Sequence, residues 1–453
     1  MELRDANVTI IGLGETAVAL ARLLRRVGAR PFVSELGPRR PALCTALDAL
    51  GVPYETGGHT DRAFDGVALA VPSPGVPLDA PLPREMRRRG VPLLGEMELA
   101  GRCCRSRVLA VTGTNGKTTT TELLRAMIDA CGLPVLLAGN NAVPFSAAVL
   151  ADPPPAFIVL EVSSYQLEMS ISFRPWIGCV LNLTPDHLAR HKTMADYAAA
   201  KARLFAFQGE GDAAVLNEDD PCVAAMPVPP GARRIGFSLE RPVADGVWFD
   251  GTAYRSGETV VAVAADSPLP GRHNAQNVAA ALAVTRAGAF PQGGVIAGLR
   301  GFRGVEHRIE HVATIDGVDY YNDSKSTNVD SLRVAIESFG RPIVLIAGGR
   351  GKGDPYLGLG PLVRDRVKAL ITLGEDAPRI EKELGAFAPA TRAASMEDAV
   401  RLARACAADG DIVLLSPACA SFDMYQNFEE RGRHFRACVR EGTSRDNIEE
   451  GSS

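Results

Sequence analysis

The sequence predicts an α/β protein of three domains, and three observations lead to that prediction. Short segments rich in Val, Ile and Leu alternate along the chain with longer segments of helical periodicity. Many of the short segments are continuously apolar, which is typical of strands buried on both faces of a parallel sheet. The chain has 453 residues, a length that suits roughly two to four domains better than one hydrophobic core.

A glycine-rich turn follows the first predicted strand, in a domain that we expect to span residues 1–95. The apolar strand Asn7–Ile11 leads into Gly12–Ala17, which fits the pattern G-x-G-x-x-[GA] and precedes a helix. Glu35 follows a second strand at the distance typical of dinucleotide-binding folds. The pattern stops near Gly95, so only a Rossmann-like half is present. We expect this half to bind one nucleotide diphosphate; a purely structural turn is the alternative.

A second glycine-rich segment begins the central domain, which we expect to span residues 96–300. The apolar run Val108–Thr112 precedes the loop Gly113–Gly116, and Lys117 and Thr118 open a helix. Backbone N–H groups of such a loop can approach phosphate oxygens, the lysine adds positive charge, and the threonine hydroxyl can bind Mg²⁺. The strict P-loop pattern would begin with glycine where this chain has valine. We expect a nucleoside triphosphate site; the alternative is a turn that only caps a helix.

Polar residues follow two further predicted strands of this domain, Ala156–Glu161 and Ile177–Leu183. Ligands of open α/β sheets bind at the carboxyl ends of the strands, so these side chains should converge near Lys117. The set comprises Glu161, Ser163, Ser164, Asp186 and His187. A carboxylate and an imidazole at neighbouring strand ends suit Mg²⁺, directly or through water. Each residue taken alone would be an ordinary surface residue.

Lys201 lies on the apolar face of a predicted helix, Thr193–Phe205, whose first residues Thr193 and Asp196 form a capping pattern. A lysine amine removed from water has a lowered pKa, which suits it for chemistry or for carbamylation by CO₂. The spacing alone favours a different interpretation, in which the aliphatic stem packs and the amine reaches water.

A third α/β pattern, with strands at Ile343–Ala347, Ala369–Leu373 and Asp411–Ser416, is expected to form a domain over residues 301–453. Polar clusters lie at 322–328, 348–353 and 416–423. They suit anionic substrates; the alternative for each is a loop whose polar groups only cap helices.

Composition and charge exclude several classes of protein. A net charge of −4 and a pI near 6.1 argue against a nucleic-acid partner. The nine cysteines are odd in number and contain no C-x-x-C pair, which predicts reduced thiols and no zinc site. No signal segment and no apolar run of ~20 residues is present. We expect a cytoplasmic protein, a monomer without membrane partners that acts on small molecules.

Seven motifs, in order, resemble the Mur ligase family, in which the first P-loop glycine is also absent. They are Gly113–Thr119, Leu160–Leu167, Asn182–His187, His273–Asn277, Glu306–Arg308, Asn322–Asn328 and Ser416–Ser421. The likeness extends from Gly12 to about Arg433. It implies an N-terminal domain that binds a UDP-linked substrate, a central ATP-binding domain with a parallel sheet, and a Rossmann-like C-terminal domain that binds an amino acid.

Within the family, the resemblance is closest to the enzymes that add D-glutamate to UDP-N-acetylmuramoyl-L-alanine during peptidoglycan precursor synthesis. The implied reaction uses ATP to phosphorylate the alanine carboxylate, and the amine of D-glutamate then attacks the acyl phosphate. Ser163–Leu167 and the lack of an Asp-Asn-Pro-Arg motif argue against another Mur step or a folylpolyglutamate synthase. An NAD-dependent oxidoreductase would leave the phosphate loop unexplained. Intact Lys117, Glu161, His187 and Lys201 argue against a catalytically idle nucleotide-binding protein.

The resemblance also implies roles for residues around ATP. The phosphates would contact Gly113, Thr114, Asn115, Gly116, Lys117, Thr118 and Thr119, with Lys325 nearby. The adenine and ribose would contact Asn274, Asn277, Arg308 and Asp323. Two Mg²⁺ ions would be bound through Thr118, Glu161, His187 and Lys201 as a carbamate, which reverses the preference drawn from spacing. The implied catalytic residues are Lys117, Lys201, His187 and Glu161.

The other substrates have their own implied residues. The uracil nucleotide would contact Gly14, Thr16, Ser34, Glu35 and Ser73, and Asn140 would face the muramoyl end. D-Glutamate would contact Thr327, Lys352, Ser421 and the backbone of Phe428. Two departures from the family put the shapes of these loops in doubt: Ala17 and Asn141-Ala142 stand where glycine is common.

Overall fold

A computed structural model of the protein describes residues 3–140, 142–186 and 188–449. Packing divides the chain into two compact units, Met1–Ser267 with Gln276–Phe302, and Pro268–Ala275 with Arg303–Ser453. The first unit contains a four-stranded and a nine-stranded sheet, and the second contains a six-stranded sheet. This arrangement confirms the predicted α/β class with three sheets. His187 and Asn141 lie outside the described residues.

The first sheet has four parallel strands in the order β3-β2-β1-β4, half of a dinucleotide-binding fold. Its strands are β1 Asn7–Ile11, β2 Arg30–Glu35, β3 Tyr54–Thr56 and β4 Val67–Pro72. Its helices are α1 Glu15–Arg26, α2 Pro41–Ala49 and α3 Pro81–Arg88. Helix α1 buries Leu20, Leu23 and Leu24. The short β3, whose residues are only half-buried, was not predicted from the sequence.

The second sheet has nine strands in the order β13-β12-β11-β10-β9-β8-β5-β7-β6. The strands are β5 Arg107–Thr112, β6 Val135–Gly139, β7 Phe157–Glu161, β8 Ile177–Val180, β9 Ala213–Asn217, β10 Arg233–Ser238, β11 Gly246–Phe249, β12 Ala253–Ser256 and β13 Thr259–Val263. Strands β5 to β11 are parallel, and β12 and β13 pair antiparallel. Strands β11 and β12 form a hairpin around Trp248–Tyr254.

Nine helices belong to this part of the chain among the described residues. They are α4 Glu96–Cys103, α5 Lys117–Ala130, α6 Phe145–Ala148, α7 Ser164–Glu168, α8 Leu188–His191, α9 Met194–Ala202, α10 Pro221–Ala224, α11 Arg272–Ala287 and α12 Gln292–Gly301. Strand β8 ends at Val180 rather than at the predicted Leu183, although Leu181 N still donates to Thr112 O of the neighbouring strand β5 at 2.9 Å.

The third sheet has the order β14-β15-β19-β16-β17-β18 and is parallel except for the β14–β15 hairpin. Its strands are β14 Glu310–Ile315, β15 Val318–Asn322, β16 Ile343–Gly348, β17 Val367–Leu373, β18 Ala390–Arg392 and β19 Ile412–Leu415. Its helices are α13 Val329–Glu337, α14 Gly360–Arg366, α15 Ala377–Leu384, α16 Met396–Cys406 and α17 Phe428–Glu449. Apolar clusters cover both faces, as a parallel sheet requires. None of the described helices is long and apolar enough to span a bilayer.

Candidate active site

The loop between β5 and α5 takes a shape that only glycine allows at two positions. Gly113 has φ 154° and Gly116 has φ 84°, in the region that side chains disfavour. A Cβ at Gly113 would lie 2.9 Å from Leu181 Cβ, and one at Gly116 would overlap Asn277 Oδ1. Thr114 N donates to Asn182 O at 3.0 Å, and Asn115 N donates to Asn182 Oδ1 at 2.8 Å. The segment after β8 therefore fixes the loop.

Helix α5 begins directly after this loop, at Lys117. Gly116, which precedes the helix, has a left-handed backbone, and its carbonyl accepts from Thr120 N at 2.9 Å. The hydroxyl-bearing residues Thr118 and Thr119 of the first turn are buried. A helix N-terminus preceded by glycines is the arrangement that binds phosphate in nucleotide sites.

Two lysine amines meet at one backbone oxygen of the loop. Lys117 Nζ donates to Gly113 O at 3.0 Å and to Thr114 O at 2.7 Å. Lys201 Nζ donates to the same Gly113 oxygen at 2.9 Å and to Thr112 Oγ1 at 3.3 Å. The two amines are therefore at most about 6 Å apart. The structure brings the two lysines singled out in the sequence to the same point.

Lys201 is almost completely buried, with 1% of its surface exposed. The interpretation favoured by spacing, an amine that reaches water, is therefore wrong. Burial first, and then the charge of Lys117, lower the pKa of Lys201 well below its usual value, while Asp186 opposes the shift. The amine also lies 4.7 Å from the ring centroid of Tyr197. The predicted cap of this helix is present, since Thr193 Oγ1 accepts from Asp196 N at 3.1 Å.

Glu161 ends β7 and is also buried, with 1% of its surface exposed. Its strand pairs with β5 so that Glu161 lies beside Val111, close to the start of the phosphate loop. Asn140 Nδ2 donates to Glu161 Oε1 at 3.1 Å, so this predicted substrate residue contacts the carboxylate. The carboxylate of Glu161 and the hydroxyl of Thr118 are oxygen ligands of the kind that Mg²⁺ prefers.

The remaining polar residues of this edge have distinct surroundings. Ser163 caps α7, where its side chain accepts from Gln166 N at 3.3 Å. Ser164 Oγ lies 2.9 Å from His191 Nε2, and His191 Nδ1 lies 3.3 Å from a carboxylate oxygen of Glu168. Sequence reasoning missed His191, a buried imidazole whose ring centroid is 5.1 Å from that of Tyr197. In the sequence, the only sign of His191 is its position in a polar helical segment that follows the Asp186-His187 motif.

The N-terminal turn gathers some of the predicted nucleotide residues. Gly12 has φ 97°, and a Cβ there would lie 3.2 Å from Ser73 Oγ. Within the part of the chain that the structure describes, no atom lies within 4 Å of a Cβ built at Gly14. The carboxylate of Glu35 accepts from Leu13 N at 2.5 Å and from Gly37 N at 2.6 Å, so it braces the turn. Among the described residues, the buried Ser73 hydroxyl has no hydrogen-bond partner, so it is a donor and acceptor available to a ligand.

Ser34 and Thr16, which were also predicted to contact the uracil nucleotide, have different surroundings from the residues of this turn. Ser34 is fully buried, and its hydroxyl donates to Glu55 Oε1 at 2.6 Å and lies 2.7 Å from His59 Nδ1. Burial would raise the pKa of Glu55, but hydrogen bonds from Ser34 and Thr60 outweigh it and lower the pKa. The Ser34 side chain thus belongs to an internal network. Thr16 is half-buried in the first turn of α1.

The polar loops of the second unit converge on one another. Asp323 Oδ2 accepts from Ser416 Oγ at 2.8 Å, and Asp323 Oδ1 accepts from Ile309 N at 3.2 Å. Burial raises the pKa of Asp323 to about 7, against the opposing effects of Ser416 and Arg308. The loop 348–353 meets the 416–423 cluster where Arg350 N donates to Ala420 O at 2.9 Å.

Arg431 joins two of these loops and was missed in the sequence, where nothing distinguishes it from neighbouring charged residues of α17. It is buried and donates to Ser324 Oγ at 2.9 Å, to Ser324 O at 2.7 Å and to Cys419 O at 3.1 Å. Ser324 Oγ in turn donates to Phe428 O at 2.8 Å. Burial lowers the pKa of Arg431 to about 10.

The other predicted residues of ATP and D-glutamate binding differ in burial. Ser421 is buried, Thr327 and Arg308 are half-buried, and Lys352 is exposed. Lys325 Nζ lies 5.6 Å from the ring centroid of Phe428. Of the residues predicted for the adenine and ribose, Asn277 belongs to the first unit, and Asn274, Arg308 and Asp323 belong to the second.

Three family models match the chain. "Mur ligase MurD-like, N-terminal domain" matches residues 6–95, "Mur ligase middle domain" matches 111–285, and "Mur ligase, glutamate ligase domain" matches 307–419. The UDP-N-acetylmuramoylalanine–D-glutamate ligase of Salinibacter ruber is 44% identical over 97% of this chain and 98% of its own length. The enzyme of the same name from Pelotomaculum thermopropionicum is 45% identical over 96% of this chain and 97% of its own.

Solved structures support the fold. The UDP-N-acetylmuramate-alanine ligase of Thermotoga maritima matches with a TM-score of 0.61 and 17% identity, over 96% of this chain and 99% of that one. MurF of Acinetobacter baumannii matches with a TM-score of 0.62 and 16% identity, over 94% of this chain and 93% of that one.

Proposed function

Because this chain belongs to the Mur ligase family, we propose that it joins D-glutamate to UDP-N-acetylmuramoyl-L-alanine at the expense of ATP. Two relatives that carry the D-glutamate ligase name are similar over nearly their whole length. The observation that carries the chemistry is the pair of lysines, Lys117 and buried Lys201, that share the Gly113 oxygen. Glu161 lies beside Val111, two residues before that glycine. This arrangement supports phosphoryl transfer at the loop.

The reaction has a simple chemical logic. The oxygen of a carboxylate is a poor leaving group, so transfer of the ATP γ-phosphoryl group to the alanine carboxylate forms an acyl phosphate. The amine of D-glutamate attacks its carbonyl carbon, the C–N bond forms, and phosphate leaves with the former carboxylate oxygen while the amine loses a proton. The protein contributes mainly position and charge.

Residues of the loop bind and orient ATP in this proposal. The N–H groups of Gly113–Thr119 surround the phosphates, and Lys117 exchanges the carbonyl oxygens of Gly113 and Thr114 for phosphate oxygens. Asn277 packs against Gly116 and so links the nucleoside side to the loop. Asn274, Arg308 and Asp323 complete the nucleoside contacts, with Lys325 near the phosphates.

Mg²⁺ fits the residues that the structure brings to the loop. Thr118 and Glu161 provide oxygen ligands, and His187, which lies outside the described residues, is the proposed third group. When bound, Mg²⁺ neutralises phosphate charge. We place two metal sites here, with Lys201 as a carbamate ligand of the second. A neutral lysine amine reacts with CO₂ to give a carbamate and a proton, and the lowered pKa of Lys201 makes that neutral form available.

The two other substrates use the remaining predicted residues. The uracil nucleotide binds at the N-terminal turn through Gly14, Thr16, Glu35 and Ser73, with Ser34 supporting it from inside, and Asn140 faces the muramoyl end. D-Glutamate binds through Thr327, Lys352, Ser421 and the backbone of Phe428. All nine cysteines are free thiols, which supports a reducing, cytoplasmic location. The protein acts as a monomer on small molecules, without nucleic acid or membrane partners.

Phosphate release with UDP-N-acetylmuramoyl-L-alanine, ATP and a panel of amino acids tests this function. D-Glutamate should support the fastest turnover, and omission of the amino acid or the Lys117→Ala substitution should reduce phosphate release to background. Greater turnover with L-glutamate, L-lysine or diaminopimelate would contradict the proposed acceptor.

A further inference from the structure

Three side chains with metal-binding atoms meet on helices α16 and α17 of the second unit. Glu397 lies in the first turn of α16, and His434 and Cys438 lie on α17. Residues four positions apart on a helix share one face, so the imidazole and the thiol project together toward Glu397. The carboxylate oxygen, the ring nitrogen and the sulfur all lie within 4.8 Å of one another.

The imidazole of this cluster is held in position by partners on both nitrogens. His434 Nε2 lies 2.8 Å from Glu397 Oε1, and His434 Nδ1 lies 2.9 Å from the hydroxyl of Tyr425. Ligand histidines of metal sites characteristically use their second nitrogen in such a bond, which fixes the ring and the tautomer. With Nδ1 bonded to Tyr425, Nε2 is the nitrogen presented to Glu397.

An ion can reach this cluster from solvent. The side chains of Glu397 and His434 are 62% and 36% exposed, and Cys438 is half-buried. The carboxylates of Glu397 and Glu441 act electrostatically on Cys438, and their negative charge also attracts a cation.

The chemistry of the three groups selects the kind of metal. Imidazole, thiolate and carboxylate together suit Zn²⁺ and Co²⁺, whereas Mg²⁺ prefers a shell of oxygen ligands. Zinc binds these groups at about 2.0–2.3 Å in a tetrahedral arrangement. The 2.8 Å separation of Nε2 and Oε1 is shorter than such a site requires, so the exposed carboxylate must move outward slightly, and a solvent-exposed side chain can do so.

We propose that Glu397, His434 and Cys438 bind one transition-metal ion of the Zn²⁺ type, with water in the fourth position. None of these residues belongs to the Mg²⁺ or nucleotide residues of the proposed ligase reaction. The cysteine spacing gave no sign of the site, because its ligands come from two helices that are distant in the sequence. An ion there would link α17 to α16 and so stabilise the third sheet's outer layer.

Titration of the metal-free, full-length protein with Co²⁺, without nucleotide or Mg²⁺, tests this site. One equivalent of Co²⁺ should produce a thiolate-to-cobalt charge-transfer absorption, and Zn²⁺ should abolish it by competition. Cys438→Ser and His434→Ala should lose the band, and Cys222→Ser should retain it. Cys222 is a suitable control because it is an exposed cysteine of the first unit.

Thermal unfolding provides a second measurement. Zn²⁺ should raise the Tm of the wild-type protein and of Cys222→Ser, and it should leave the Tm of His434→Ala unchanged. Circular dichroism of the metal-free proteins shows whether each variant folds. If Cys438→Ser does not fold, His434→Gln replaces it as the ligand deletion. Absence of the charge-transfer band in the wild-type protein, or its persistence in Cys438→Ser, would overturn the proposal.

Discussion

Replacing Lys201 with alanine should remove most ligase activity and leave the protein folded. The substitution deletes an amine that donates to Gly113 O and Thr112 Oγ1 and lies at most about 6 Å from the Lys117 amine. If the carbamate is a metal ligand, its loss removes a negative group from the site where phosphate charge is neutralised. Loss of one group that stabilises charge in a transition state typically costs about 10²–10³ in kcat, or roughly 3–4 kcal/mol.

The effect on stability should be much smaller, because two contributions oppose each other. Burial, and then the charge of Lys117, favour the neutral form of the Lys201 amine, so the repulsion relieved by the substitution is at most the roughly 3 kcal/mol of two ammonium groups 6 Å apart at an effective dielectric constant of about 20. Removing the buried stem costs a comparable amount in lost packing, roughly 2–3 kcal/mol. Alanine is also a strong helix former, so we expect Tm to change by less than about 5 °C.

The assay compares kcat of wild type, Lys201→Ala and Lys382→Ala, an exposed helical lysine that serves as the matched control. Short carboxylic acids should restore part of the rate of Lys201→Ala, because they replace the missing carboxylate. Wild-type activity should fall when CO₂ is depleted. It should also fall as the pH drops through the lowered pKa of Lys201, because protonation removes the amine that reacts with CO₂. Full activity of Lys201→Ala, or an unmodified amine at 201 in a crystal with Mg²⁺ and nucleotide, would refute this reasoning.

Two further predictions concern a glycine and a buried carboxyl. Gly116→Ala should weaken ATP binding at least tenfold and lower the free energy of unfolding by about 1–2 kcal/mol, because φ is 84° and the new Cβ overlaps Asn277. Nucleotide titration measures the affinity, and urea unfolding measures the stability. Equal values for Gly116→Ala and the control Gly293→Ala would contradict the prediction. Asp323 has a pKa near 7 in the folded protein against a usual 3.8, so its contribution to stability is present below pH 3.8 and lost as the pH rises through 7. Asp323→Asn should remove up to about 4 kcal/mol of that pH dependence, and an unchanged slope in urea unfolding between pH 4 and 8 would show that Asp323 does not titrate there.

Local sequence patterns predicted the elements whose structure depends on near neighbours. The strand, glycine-rich loop and helix around Lys117 follow one another within a few residues, and each has its own signal. The β14–β15 hairpin was missed because the residues of β14 are nowhere fully buried, so its strand pattern is weak. Burial of Lys201 depends on Thr112 and Gly113, which are distant in the sequence, and helical spacing cannot show what covers a face.

Motif position indicated candidate residues, but it could not indicate what their side chains contact. Ser34 and Glu35 lie where a nucleotide-binding turn requires polar residues. The Ser34 hydroxyl nevertheless belongs to an internal hydrogen-bond network, and the Glu35 carboxylate accepts hydrogen bonds from backbone N–H groups. Arg431 and His191 were missed because their partners, Ser324 and Ser164, are identified only by the folded arrangement. A buried cation or imidazole has no characteristic neighbours in the sequence.

The packing between the first two sheets limits how this protein can be divided or recombined. Leu23 of α1 belongs to the apolar core of the nine-stranded sheet, whereas Leu99 of α4 belongs to the core of the four-stranded one. Arg26 Nη1 also donates to Leu150 O at 3.3 Å. A chimaera made by exchanging residues 1–95 with those of a relative would therefore inherit mismatched apolar surfaces on both sides of the junction. An exchange of the N-terminal sheet therefore requires transferring α4 and the facing side chains of α6 along with it.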